Sequence, residues 1–210
     1  MKVLYISSTH SGMHESSIYF DLMQEFVAQG HEVTICYARE KRLEKETELY
    51  HQNNLRYLGV KTGNFSKNKN LIEKGISLMT IDPLFQKALK KYLGHETFDL
   101  VLYSTPPITF INTLKYLRKT SKDIFIYLML KDIFPQNAVD IEMMRKGGLI
   151  HRFFRRKEKT LYKLVDAIGV MSPANKKYFI EHNPEFNNKV EVLPNAIKLR
   201  DIHLKYTRED

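Results

Sequence analysis

Short runs rich in β-branched and aromatic residues alternate with longer segments of helical period, and this rhythm constrains the fold more than any other feature of the chain. "KVLYIS" (2–7), "EVTICYA" (32–38), "DLVLYS" (99–104), "DIFIYLML" (123–130), "AIGVMS" (167–172) and "KVEVLPN" (189–195) read as strands, with a weaker one at 55–60. Between the first two, Ile18, Phe20, Leu22, Met23, Phe26 and Val27 fall mostly at helical spacing, and Gly30 marks the stop. Further helices are expected over much of 71–93, at 108–117 and at 151–164. Asp82-Pro83 is expected to restart the first of these with Pro at its first position, and Ser172-Pro173 to cap a helix in the same way. The charged stretch 39–48 and the polar loop 61–70 carry no element in this reading. Several strands are apolar throughout, which requires cover on both faces. The expected fold is therefore α/β: a Rossmann-like, doubly wound, mostly parallel sheet with helices on both faces.

Charge narrows the function classes. The net charge is +9, and eight Lys/Arg against Glu158 place +7 of it between Arg145 and Lys163. Nucleic acid, anionic lipid and phosphorylated substrates are all admissible partners of such a chain. The single cysteine, Cys36, excludes an internal disulfide and suits a reducing compartment. The first residues lack the pattern of a signal peptide, and no run of apolar residues is long enough to span a bilayer.

In an open parallel sheet, ligands bind beyond the carboxyl ends of the strands, where the strand order reverses. Ser8 to His14 follow the first strand, Ser104 to Pro107 the fourth, Lys131 and Asp132 the fifth, Met171 and Ser172 the sixth, and Pro194 and Asn195 the last. Hydroxylated and ionisable groups thus gather where a polar ligand would sit, although residues such as Ser104 and Ser172 are more often turn residues or caps than ligand contacts. Lys131-Asp132 is the sharper signal, because a charged pair directly after an apolar strand must be solvated, paired or liganded. Gly12 stands alone in the first loop. With no G-x-G-x-x-G and no G-x-x-x-x-G-K-[ST], an ordinary dinucleotide or ATP site is not expected. A zinc site lacks its cysteine partners and H-E-x-x-H, and a serine hydrolase lacks its G-x-S-x-G.

Taken together, "KVLYIS", "AQGHEVTI", "DLVLYSTPP", "KDIFPQNAVDIEMM", "DAIGVMSPANKKYF" and "VEVLPNAI" resemble the N-terminal domain of a bacterial family 4 glycosyltransferase of the GT-B fold, in the branch that builds capsule and O-antigen sugars. That branch usually has D-L-W-P where this chain has Asp132-Ile133-Phe134-Pro135. The resemblance implies residues 1–198 as the acceptor-side domain, with 199–210 beginning an interdomain linker. A second half, absent from this chain, binds most of the nucleotide-sugar through an E-x7-E type acidic motif. It also implies retention of anomeric configuration and no metal or other cofactor. His10, Ser11, Gly12, Ser104, Thr105 and Lys131 become acceptor-side residues. Asp132 becomes the candidate catalytic residue, accepting a hydrogen bond from an acceptor hydroxyl or acting as a weak base. Arg152, Arg155, Arg156, Lys159 and Lys163 become membrane or phosphate contacts, lying away from a core side formed by Phe153, Phe154, Leu161 and Leu164. The implied partners are a nucleotide-sugar and a sugar acceptor, lipid-linked in some members. The implied location is the cytoplasm, at the inner face of the membrane.

Two other classes stay open on the residues alone: a basic module for membranes or nucleic acid, and a regulatory Rossmann-like domain for a small anion. The basic segment carries no aromatic platform of the RNA-binding kind, so nucleic acid is not expected.

Overall fold

The computed structural model describes residues 1–8, 17–66 and 71–198. The strands are β1 (Lys2–Ser7), β2 (Glu32–Glu40), β3 (Glu48–Gln52), β4 (Leu55–Thr62), β5 (Leu100–Ser104), β6 (Phe125–Leu130), β7 (Ala167–Val170) and β8 (Val190–Val192). The helices are α1 (Ile18–Ala28), α2 (Leu71–Leu93), α3 (Ile111–Thr120), α4 (Gln136–Asp140), α5 (Leu149–Leu164) and α6 (Pro173–His182). One sheet runs β3-β4-β2-β1-β5-β6-β7-β8, parallel except for the β3/β4 pair. The chain steps outward from β1 to β2 on one side and resumes at β5 on the other. The strand order therefore reverses between β1 and β5, where Ile6 lies opposite Tyr103.

Alternation along the strands sends side chains into two cores. Leu4 and Ile6 join Val101, Leu128 and Ile168 under α2, α3, α5 and α6, which contribute Phe85, Leu114, Leu161 and Phe179. Val3 and Tyr5 join Ile35, Leu102 and Met129 under α1, which contributes Phe20 and Met23. Both faces are covered, as the sequence predicts for apolar parallel strands.

The ends of α1 and α6 follow their sequence cues. Ser17 caps α1 by accepting from the Phe20 N–H at 3.1 Å, and Gly30 ends it at φ +81°. Ser172 accepts from the Asn175 N–H at 3.1 Å, with Pro173 opening α6.

Three expectations need correction. The charged stretch before 55 contains a strand, β3, which turns into β4 through Asn53 and Asn54 at φ 52° and 59°. Asparagine tolerates this left-handed geometry, which a two-residue hairpin of this type requires. Asp82-Pro83 does not restart a helix, because α2 runs unbroken through Pro83. Asp82 is instead buried against α3, accepting from the Asn112 N–H (3.0 Å), the Thr113 N–H (2.9 Å) and the Thr113 hydroxyl (2.7 Å). Phe110 has no capping side chain of its own, so a carboxylate from the neighbouring helix satisfies the first turn of α3. That helix accordingly starts at Ile111, three residues after its expected start at 108.

Candidate functional site

At the carboxyl edge of the sheet, the half near β2 and β4 is closed by its own ion pairs. Arg39 is buried and donates to Glu48 (3.0 Å), the Glu46 carbonyl (3.0 Å) and the Tyr37 hydroxyl (2.9 Å). Glu40 is buried too, which alone would raise its pKa. Donors from Ser66, Arg42 and the Phe65 N–H outweigh that effect and hold the carboxyl below its ordinary value. Groups free to meet a ligand are therefore sought at the reversal point and beyond it, along β1, β5 and β6.

There the structure builds a small cleft from elements far apart in sequence. Ile18, Tyr19 and Leu22 of α1, Met129 and Lys131 at the end of β6, and residues 193–196 after β8 line a cavity of about 100 Å³. The Tyr19 ring stacks on Tyr5, centroids 5.6 Å apart, and the Ser104 hydroxyl donates to the Tyr19 hydroxyl at 3.2 Å. The Lys131 ammonium lies 5.8 Å from the centre of the Tyr19 ring and donates to the Asn195 Oδ1 at 2.7 Å. Partial burial lowers the pKa of this ammonium from its ordinary value. Both of these contacts are neutral groups, so among the described residues the half-buried cation has no counter-charge.

The expected site residues divide in this geometry. Lys131 lines the cleft. Ser104 is buried and acts through Tyr19. Thr105 belongs to the scaffold. It is buried, and its hydroxyl donates to the Met129 carbonyl (3.4 Å) and accepts from the Lys131 N–H (3.3 Å). A hydroxyl engaged on both sides holds β5 to β6 and fixes the backbone of Lys131, so the expected ligand contact becomes a positioning one. Asp132 is exposed, stands outside the lining of the cleft, and has a side chain without a hydrogen bond or ion pair among the described residues. Its carbonyl accepts from the Phe134 N–H at 3.0 Å, and Phe134 packs edge-on against Phe154 at 5.0 Å. The apolar strand thus ends on a charged pair because the chain leaves the sheet there: the lysine turns into the cleft, the aspartate into solvent, and the aromatic ring back onto α5. His10, Ser11 and Gly12 lie outside the described residues.

The basic helix α5 also divides. Arg152, Arg156 and Lys163 are exposed, whereas Lys159 pairs with Glu185 at 2.8 Å. Arg155 is a structural residue. It pairs with Glu158, itself fully buried, and donates to the His182 carbonyl (2.8 Å) and the Asn183 Oδ1 (2.7 Å) at the end of α6. Arg155 is therefore withdrawn from the expected membrane or phosphate contacts. The expected core side shifts as well: Glu158, Leu161 and Tyr162 face inward and Phe153 faces out.

Sequence reasoning missed Tyr19 and did not place Asn195 in the site. Tyr19 sits in the first turn of α1, directly after the first loop, and Asn195 follows Pro194 at the exit of the last strand. Each position is at the carboxyl edge, which is the one signal that could have singled them out.

Similar proteins agree with this architecture. Among solved structures, a trehalose-6-phosphate protein from E. coli bound with UDP-2-fluoro glucose superposes with a TM-score of 0.62 at 11% identity, over 94% of this chain and 49% of that one. An alpha,alpha-trehalose-phosphate synthase (UDP-forming) from Burkholderia vietnamiensis gives 0.56 at 10% identity, over 88% and 43%. A UGT transferase from Siraitia grosvenorii in complex with UDP gives 0.51 at 7% identity, over 93% and 50%. At these identities the likeness is one of fold, and this chain spans about half the length of each of those proteins. No curated protein sequence matches it. The profile of Glycosyltransferase Family 4 matches residues 17–201. That span takes in every residue that lines the cleft and every strand of the sheet except β1, and the chain belongs to Glycosyltransferase Family 4.

Proposed function

We propose that this chain is the acceptor-binding half of a glycosyltransferase that moves a sugar, with retention, from a nucleotide-sugar to a growing capsular or O-antigen polysaccharide or its lipid-linked precursor. Residues 1–198 form this half, and the nucleotide-sugar is bound mainly by a second half. The observation that supports the reading most directly is Lys131. A partly desolvated ammonium whose partners among the described residues are the Tyr19 ring and the Asn195 amide is poised for an anion, and a diphosphate linked to a lipid carrier supplies one. In this reading Tyr19, held in place by Ser104 and Tyr5, presents an aromatic face to the acceptor. His10, Ser11 and Gly12 are assigned to the acceptor side on the resemblance alone. Asp132, one residue beyond Lys131 and with no side-chain partner among the described residues, accepts a hydrogen bond from the acceptor hydroxyl. The enzyme works in the cytoplasm at the inner face of the membrane, where the exposed cations of α5 are attracted to anionic lipid.

Calorimetric titration of the chain with a short polyprenyl-diphosphate-linked monosaccharide tests this. Saturable binding is expected, weakened about tenfold or more by Lys131→Ala, the loss of one charge-assisted hydrogen bond. Asp132→Asn is expected to leave this binding intact and to lower turnover when the nucleotide-binding half is supplied. Tighter binding of UDP alone than of the acceptor, or no effect of Lys131→Ala, overturns the reading.

A further inference from the structure

The connection from α4 into α5 carries large apolar side chains that the fold leaves in water. Ile141, Met143, Leu149, Ile150 and Phe153 are 66, 74, 85, 65 and 42% exposed. Leu149 and Phe153 are four residues apart and Ile150 and Phe153 three, so they share one side of the opening turns of α5. Ile141 and Met143 stand in the turn that leads into it, which Gly147 completes at φ +76°. Scattered apolar residues on a surface need no explanation, but five within thirteen positions do.

The charges around them are one-sided. From 141 to 157 there are five Lys/Arg (Arg145, Lys146, Arg152, Arg156, Lys157) apart from the internally paired Arg155, and one carboxylate, Glu142, which leaves +4. The Lys157 ammonium rests 5.6 Å from the centre of the Phe153 ring, so apolar and cationic groups meet in one patch. Asp140, just before, is engaged by the Gln136 amide at 2.6 Å. The Gly148 N-cap has no side chain, so the first N–H groups of α5 and the positive end of its dipole also face this tip.

We infer that this tip inserts into an anionic bilayer. Leu149, Ile150 and Phe153 enter the boundary of the acyl chains, and Arg145, Arg152, Arg156 and Lys157 meet the lipid phosphates around them. A second copy of the chain is disfavoured as the occupant, because apposing two such tips brings +4 against +4. Among the described residues no helix is long and apolar enough to cross a membrane, so the tip lies in the interface and does not span it. The segment begins ten residues after Lys131, and Phe134 in the exit from β6 packs on Phe154 of α5, so docking the tip would bring that edge of the cleft towards the headgroup layer. The use of such docking in delivering an acceptor rests on the proposed function; the insertion itself does not.

The chain has no tryptophan, so Leu149→Trp supplies a single indole reporter. With phosphatidylglycerol-containing vesicles its emission should shift to the blue and be quenched by brominated acyl chains, and vesicles of phosphatidylcholine alone should give neither. In vesicle sedimentation, Leu149→Ser with Ile150→Ser should lower partitioning about tenfold or more. Arg152→Gln with Arg156→Gln should lower it about thirtyfold at low salt. Both pairs are exposed, so thermal stability should stay put. An indole that stays water-exposed on the sedimented chain refutes insertion and leaves surface attraction alone. Equal partitioning to both vesicle types, or a blue shift that follows protein concentration without lipid, overturns the inference as well, the latter in favour of self-association. None of these outcomes touches the Lys131 titration, so failure of insertion and failure of the proposed function are distinguishable.

Discussion

Arg155→Ala should destabilise this domain far more than Arg156→Ala, although the two arginines are adjacent in one basic helix. Arg155 pairs with Glu158, a carboxylate with 1% of its side chain exposed, which also accepts from the Tyr162 hydroxyl at 2.7 Å. Removing the guanidinium leaves that carboxylate buried with one neutral donor. Breaking one side of a buried pair costs about 3–5 kcal/mol. The lower end applies, because the Arg155 side chain keeps 26% exposure and water can fill part of its place. The bonds from Arg155 to His182 and Asn183, which tie α5 to the end of α6, are lost as well. A loss of about 3 kcal/mol lowers the melting temperature by roughly 6–12 °C in a domain of this size. Arg156 is exposed, and its removal should stay within about 0.5 kcal/mol.

The same pair carries a dependence on pH. Burial raises the Glu158 carboxyl above its ordinary value of 4.5, and the Tyr162 hydroxyl and Arg155 oppose this without cancelling it. A carboxyl raised in the folded state contributes its full stability while it is protonated in both states. That contribution is lost as pH climbs from the ordinary value through the raised one. Taking away Arg155 removes an opposing charge and raises the carboxyl further. The deficit of Arg155→Ala should therefore be larger at about pH 8 than at about pH 5, and Glu158→Gln combined with Arg155→Ala should remove the difference. Urea unfolding of the three variants at both pH values measures it. Equal stability of the Arg155→Ala and Arg156→Ala proteins, or a deficit independent of pH, refutes the argument.

Two further substitutions check the frame around the site. Asp82→Ala should cost about 2–3 kcal/mol by stripping three donors at the start of α3 of their acceptor, with Asp82→Asn recovering part of it, as read by urea unfolding. Gly169→Ala places a methyl group 2.4 Å from the Tyr127 hydroxyl oxygen and 2.8 Å from the Leu193 Cβ, so it should cost about 1–3 kcal/mol in thermal unfolding and displace the exit of β8 that forms one wall of the cleft.

What the sequence made legible follows from range. Strand identity and the covered sheet could be read because an apolar strand and its flanking turn are local signals, and so could the stop of α1 at Gly30 and the start of α6 at Ser172-Pro173, which act within a few residues. The hairpin of β3 was legible in principle. Asn53-Asn54 is a turn signal of the required kind, but the charges around it suggested a loop. Asp82 shows a harder limit. Asp-Pro reads as the start of a helix, and this aspartate does cap a helix, but one that begins 29 residues later, as no local window can reveal. Glu158 was left out of the expected core side of α5 for a different reason. A charged residue in a basic run suggests solvent, yet Phe154, Leu161, Tyr162 and Val165 place position 158 on the apolar stripe. Periodicity should have outweighed chemistry there.

The cleft is the extreme case of this dependence on range. Lys131 could be singled out as a charge at the end of a buried strand, but whether it would be paired, solvated or left for a ligand depended on what came to meet it. Its partners, Tyr19 and Asn195, stand 112 positions before it and 64 after it. The side chain of Asp132, its neighbour in sequence, has no partner among the described residues. A charged pair read as one feature is thus two: a cation held by the fold at the mouth of the cleft, and an anion that, among the described residues, only the turn carries. Lys131 can be preorganised for a ligand because the sheet, α1 and the exit strand each fix one side of it. Asp132 can act on a ligand only once that ligand gives it something to hold.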